Sequence, residues 1–285
     1  MTGPENSPSP APQVAAPPGG RLLAVAKIAA ERLLWARVAV QRRAEARKAV
    51  TRQPPTTVPP TDVLRTSAQW QAARDEARRL RLPLHRDLPK NWDALGAVGA
   101  VLSLAGAGGA QALNVMDAGS ARYSPVLPWL RLYGLGSAPG SLLGINLEFG
   151  ATVHRDGVAF RQGDVTATDL PPASLDAITC MSVIEHGVPL KAFLAESARV
   201  LRPGGVLCVS TDFDHDPPDT QGITAYGGPV RIFGPDDIRA FIADAGAEGL
   251  ELVGDEPGLQ HAERPVHWKR TGLDYTFILL TFRRI

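Results

Sequence analysis

Two acid–histidine clusters in this chain have the residue types needed to move a proton. One is Glu185 and His186 in SVIEHG, and the other is Asp212, Asp214 and His215 in STDFDHDPP; each follows a short apolar run. An imidazole titrates near neutral pH and can take a proton from a reacting hydroxyl, so His186 is the first candidate base, with Glu185, Asp212 and His215 as further candidates. The second stretch also carries Asp216 and Asp219. Oxygen-rich loops of this kind can hold magnesium or calcium, but solvated acids bordering a cleft account for this one better, and no metal ligand set is assigned. Thr220, Thr224 and Tyr226 offer hydrogen bonds to a polyhydroxylated acceptor. Trp268 offers either a flat platform for a ring or an ordinary core side chain.

Three further motifs sit where an open α/β sheet holds a ligand, just past the carboxyl ends of strands. MDAGS places Asp117 and Gly119 at a strand-to-turn junction, where a residue without a side chain lets backbone approach a ligand. GIN ends the next apolar run and puts Asn146 where an acid commonly meets ribose hydroxyls. RQGDV follows the third run, and Asp164 there can accept from an adenine amino group or simply close a turn.

The elements that must position these residues alternate strand and helix. Seven strands are expected: 113–117, 141–147, 158–161, 175–183, 206–211, 250–254 and 275–282. Alternation of this kind implies an α/β fold with a mostly parallel sheet covered on both faces. Between them, Leu190, Phe193, Leu194 and Leu201 share one helical face, and Ile238, Phe241, Ile242 and Ala245 share another. The stretch Pro203, Gly204, Gly205 is expected to end a helix and turn into the next strand. Cys180 and Cys208 read as buried, reduced thiols.

Ahead of this body, residues 1–20 are rich in proline, alanine, serine and glycine and are expected to be disordered. Residues 21–60 are expected to form a basic helical arm and a proline-rich linker. The arm carries a net +7 between Arg21 and Arg52, while the whole chain carries only +1. Such an arm either docks on its own protein or lies on an anionic membrane surface, and its removal is expected to leave the fold intact. Residues 61–110 are expected to be a helical cap, with helices near 61–80 and 92–104, and residues 111–285 the catalytic body. The near-neutral balance argues against nucleic acid as a partner. Two cysteines, no long apolar run and no apolar leader suggest a reducing, cytoplasmic setting.

Taken in order, MDAGS, GIN, GDV, VIEHG and RVLRPGG make residues 113–282 resemble a class I methyltransferase that uses S-adenosylmethionine, close to the type 11 group. The resemblance implies a Rossmann-like doubly wound sheet of seven strands with an antiparallel last strand. It also implies that Asp117, Gly119, Ser120 and Ala121 surround the amino-acid end of the cofactor. Asn146 and Leu147 would hold the ribose and adenosine edge, Asp164 and Val165 the adenine, and Ser182 and Val183 would close the site. The expected reaction is O-methylation of a saccharide or small-molecule hydroxyl by in-line displacement. A catalytically inactive binding scaffold on the same fold is the rival, suggested by Asn146 and by Ala121 and Tyr123 where glycines are usual. A nicotinamide enzyme is disfavoured, since no G-x-G-x-x-G follows the first strand.

Overall fold

The computed structural model describes residues 20–48, 52–104, 113–225 and 228–285. Of the tail expected over residues 1–20, all but Gly20, which begins a helix, lies outside the described residues, as do the acceptor-facing role considered for Tyr226 and the side chains of 20–27.

All seven expected strands are present. They are β2 (Val115–Ala118), β3 (Leu142–Asn146), β5 (Val158–Gln162), β6 (Leu175–Met181), β7 (Leu201–Phe213), β10 (Leu250–Leu252) and β12 (Leu273–Arg284). Short strands β1 (Asp62–Val63), β4 (Val153–Arg155) and β11 (Val266–Trp268) extend the sheet, and β8 (Thr224–Ala225) pairs with β9 (Gly228–Pro229) apart from it. The sheet runs β1-β12-β7-β6-β2-β3-β5-β4, so it has ten strands with β10 and β11 added on β12. Its centre, β5-β3-β2-β6-β7, is parallel, and β12 runs antiparallel to β7.

From β2 the chain moves outward through β3 and β5, then returns to the other side of β2 with β6 and β7. The connections therefore diverge between β2 and β6, which opens a crevice at their carboxyl ends. Helices α1 (Gly20–Arg47), α3 (Lys90–Leu104) and α4 (Val126–Leu132) cover one face, with α2 (Ser67–Arg79) packed on α3. Helices α5 (Leu190–Val200) and α6 (Pro235–Ala247) cover the other. The buried thiols of Cys180 and Cys208 are free.

Three local outcomes differ from the sequence reading. Asp62 and Val63, expected in a helix, pair instead with Leu279 and Ile278 of β12. The helix that follows begins only at Ser67, where the Gln69 side chain accepts the Thr66 N–H at 3.0 Å. The Pro203–Gly205 turn is a bulge inside β7: the ladder to β6 slips between Leu175 and Ala177, and Gly204 takes φ +81°. Thirdly, the basic arm takes the self-docked placement, and does so too deeply for the expected tolerance to its removal. Trp35 is 3% exposed and Val38 fully buried, Arg42 pairs with Asp156 at 2.9 Å, and Arg155 pairs with Glu31 at 2.8 Å. Its removal would strip the core, so the expectation that the fold survives without it fails on packing grounds.

Candidate active site

At the carboxyl ends of β2, β3 and β6 the turn after β2 meets Val183 and Asn146, while Leu147, Asp164 and Val165 follow β3 and β5. Gly119 has φ +71°, and a Cβ there would lie 2.5 Å from the Val183 side chain, so only glycine fits between the β2 turn and the segment after β6. Asp117 is buried, and its Oδ1 accepts the Thr179 hydroxyl at 2.7 Å. Burial raises its carboxyl to about 6, against the pull of the Ser120 and Thr179 hydroxyls. Ser120 donates its N–H to the Ile145 carbonyl at 2.8 Å, which ties the turn to β3. Ala121 follows on the same turn, half-buried.

Asn146 has a different task from the one expected. Its Nδ2 donates to the Gly119 carbonyl at 3.2 Å and the Ser120 carbonyl at 3.0 Å, while its Oδ1 accepts the Glu148 N–H at 2.9 Å. The amide thus clamps the β2 turn, and a carboxylate would face two carbonyl oxygens. Asn146→Asp, which installs the acid usual at this position, is expected to weaken cofactor binding about tenfold and to lower the melting temperature. Titration calorimetry beside a thermal melt checks this, and tighter binding in the variant would contradict the clamp. Leu147 is 66% exposed and presents an open apolar face beside the crevice. The Asp164 Oδ1 accepts from the Thr166 N–H and hydroxyl at 2.8 and 2.7 Å, so one of its oxygens closes a turn. Val165 stands half-buried next to it.

Beside this edge lies a buried charge cluster whose cation the sequence reading missed. Lys90, at the start of α3, donates to the Ser182 hydroxyl at 2.8 Å and stands 4.8 Å from the centre of the Phe277 ring. Phe277 faces Asp212 across the β12–β7 ladder. One turn along α3, the Asp93 carboxylate accepts the Ser210 hydroxyl at 2.6 Å. Glu185, 1% exposed, accepts the Thr211 hydroxyl at 3.1 Å. Burial works against the Lys90 charge, but the carboxyls of Asp93, Asp212 and Glu185 outweigh it and hold Lys90 protonated. Burial, and then the nearby Asp212, push Glu185 well above the usual carboxylate range. Burial raises Asp212 to about 7, opposed by Lys90 and the Tyr275 hydroxyl. Glu185 Oε1 and Asp212 Oδ1 are both buried and have no hydrogen-bond partner among the described residues.

Of the other two candidate bases, His186 borders this cluster and His215 lies apart from it. The His186 ring meets the edge of Trp268 at 6.2 Å, and burial followed by the charges of Lys90 and Arg270 lowers it to about 4. Trp268 is half-buried against the core. His215 belongs to a separate cluster in which Arg264 grips both oxygens of Asp214, at 2.5 and 3.0 Å, and the His215 N–H donates to His261 Nε2 at 3.1 Å. Asp214, His215 and His261 bring ligand atoms within 4.8 Å of one another, but the Arg264 guanidinium already fills the carboxylate's side of that group. A cavity of about 480 Å³ opens next to Glu185, lined by Ile184, Val188, Thr220, Arg231 and Phe233 among others.

Lys90 and Asp93 were visible in KNWDALGAV as a charged pair at i, i+3 heading an otherwise apolar helix. A pair in that position has to be buried or to line a cleft. Tyr275 and His261 carried no comparable signal.

Residues 118–209 match a family described as "Methyltransferase domain". A Mycolicibacterium smegmatis protein described as a "Probable S-adenosylmethionine-dependent methyltransferase" is 46% identical over 99 residues, covering 35% of this chain and 35% of its own length. A Mycobacterium tuberculosis protein of like description is 31% identical over 99 residues, covering 34% and 35%. The match thus spans about a third of each curated relative. Among solved structures, a Burkholderia thailandensis 1,6-didemethyltoxoflavin-N1-methyltransferase aligns with a TM-score of 0.47 at 16% identity, covering 76% of this chain and 86% of that one.

Proposed function

We propose that this chain, whose residues 118–209 match a methyltransferase domain, transfers a methyl group from S-adenosylmethionine to a hydroxyl of a small, polyhydroxylated acceptor. The observation that carries the reading is the pair of buried carboxyl oxygens, Glu185 Oε1 and Asp212 Oδ1, left without donors at the crevice edge. Buried polar atoms of this kind demand partners: the Asp212 carboxylate needs a donor and the protonated Glu185 carboxyl can give or take one hydrogen bond, and an acceptor with neighbouring hydroxyls, each both donor and acceptor, suits the two. Lys90 already provides the positive charge of the cluster, so a neutral polyol suits it better than an ammonium group.

The crevice fits the cofactor. Gly119 lets the β2 turn pack directly against Val183 at the crevice wall, Leu147 gives an apolar face, and Asp164 keeps one carboxylate oxygen clear of its turn. Asp117, Gly119, Ser120 and Ala121 would border the amino-acid end, with Asn146 holding that turn in shape. Leu147, Asp164 and Val165 would border the adenosine, and Ser182 and Val183 would close the crevice. When bound, S-adenosylmethionine supplies an electrophilic methyl on a sulfonium.

For this chain's residues the work is positioning and proton handling. Asp212 accepts the acceptor hydroxyl's proton, since a carboxyl near 7 matches the working pH. Glu185, kept protonated by its surroundings, orients a second hydroxyl. Lys90 keeps the acid cluster in place through Ser182. His186 stays neutral and packs on Trp268, forming a wall of the acceptor site. The test is transfer of labelled methyl from S-adenosylmethionine to a panel of sugars and polyols alongside amines and carbon nucleophiles. Label on polyols supports the reading, and label confined to amines or carbon refutes it.

A further inference from the structure

Helix α1 shows the protein two faces. Its inner face carries Glu31, Trp35, Val38 and Arg42, all docked, and its two acids are both consumed: Glu31 by Arg155 at 2.8 Å and Glu45 by Arg52 at 2.7 Å. The outer face is left with cations only. Arg32, Arg37, Arg43, Arg47 and Lys48 are exposed, and none makes an ion pair with a described residue. Among them, Leu33 and Val40, two turns apart on the same face, are 54% and 66% exposed, while Ile28, 46% exposed, lies toward another side of the helix. An exposed apolar pair set among unpaired cations costs solvation energy and gains none from the protein's own core.

We infer that this outer face of α1 binds the surface of an anionic lipid membrane, with Leu33 and Val40 dipping into the headgroup layer and the surrounding arginines meeting lipid phosphates. The inference does not depend on the reaction proposed above. Charge selects the occupant. A second copy would press like charges together, with no acid on either face to relieve them. A nucleic acid would meet the cations, but it would strand Leu33 and Val40 against phosphate and water. A membrane surface satisfies both features, since attraction to anionic headgroups and burial of an apolar pair act together on an interfacial helix. No helix of the described residues is long and apolar enough to cross a membrane, which leaves contact in the interface plane as the mode.

The test is flotation of the full chain with phosphatidylcholine vesicles, with or without phosphatidylglycerol. The chain is expected to float with the anionic vesicles and not with the neutral ones, and to be released by high salt. Each surface cation contributes about fivefold in partitioning, so Arg32→Gln, Arg37→Gln and Arg43→Gln together should reduce it about a hundredfold. Leu33→Asp alone should reduce it about tenfold. All four changes lie on the exposed face, and an unchanged thermal melt establishes that the variants remain folded. The inference is overturned by equal flotation on neutral vesicles, by no flotation at all, or by variants that float like the parent. It is equally overturned if the chain shifts a DNA duplex while ignoring vesicles, or if light scattering shows a dimer that Leu33→Asp dissolves.

Discussion

Replacing Asp212 by asparagine is expected to lower turnover a hundredfold or more while leaving affinity for S-adenosylhomocysteine within a few fold. The amide keeps the size of the carboxyl and its place opposite Phe277, but cannot take a proton. The pH dependence separates Asp212 from His186. With Asp212 as the base, the rate climbs as pH rises through about 7, where that carboxyl loses its proton. If His186 were the base, the limb would lie near 4 and the rate would already be level at neutral pH. His186→Ala should therefore leave the limb near 7 in place. Stability moves the other way. A carboxyl raised from 3.8 to about 7 binds its proton more tightly folded than unfolded, so folding stability falls as pH climbs between those values. Asp212→Asn removes that penalty and should raise the melting temperature above pH 7. A variant that is slower yet more stable is the signature of a buried acid kept for chemistry. A variant that loses activity and stability together would mark Asp212 as a structural residue.

Trp35→Ala carries the largest expected loss of stability. The indole is almost fully buried, meets Phe160 edge-on at 5.7 Å, and donates its Nε1–H to the Arg122 carbonyl at 2.8 Å. Emptying such a site costs about 3–5 kcal/mol. Arg122 lies on the turn that begins at Gly119, so the arm also steadies the cofactor side of the crevice from behind. Denaturant titration should show the loss in stability, and binding of S-adenosylhomocysteine should weaken in the same variant even where it remains folded. Trp35→Phe keeps much of the packing and loses only the donor, so it should fall between the two. A variant as stable as the parent would mean that α1 rests on the surface without contributing to the core.

The strands were legible because each is a short apolar run closed by glycine, proline or polar residues, and MDAGS, GIN, GDV and VIEHG mark the turns that follow four of them. What stayed hidden depends on contacts remote in sequence. Nothing local in Asp62-Val63 announces that β12 will offer it an edge, and nothing in Trp35 points to Arg122, 87 residues away. Asn146 looked like a weakened ribose ligand; only the positions of the Gly119 and Ser120 carbonyls show it to be a clamp. The meaning of Lys90 required α3 to pack across β7 and β12. The choice among Glu185, His186, Asp212 and His215 likewise needed burial and neighbouring charge, which residue type alone does not specify.

The central claim is that the carboxyl edge of the sheet, where Gly119 meets Val183, holds S-adenosylmethionine. Titration calorimetry with S-adenosylhomocysteine on the full chain and on Gly119→Ala tests it most directly. The account predicts binding of one molecule per chain by the parent, and at least a tenfold loss in the variant, whose new Cβ would lie 2.5 Å from Val183. No binding by a folded parent chain, or unchanged binding when the crevice is blocked, would contradict it.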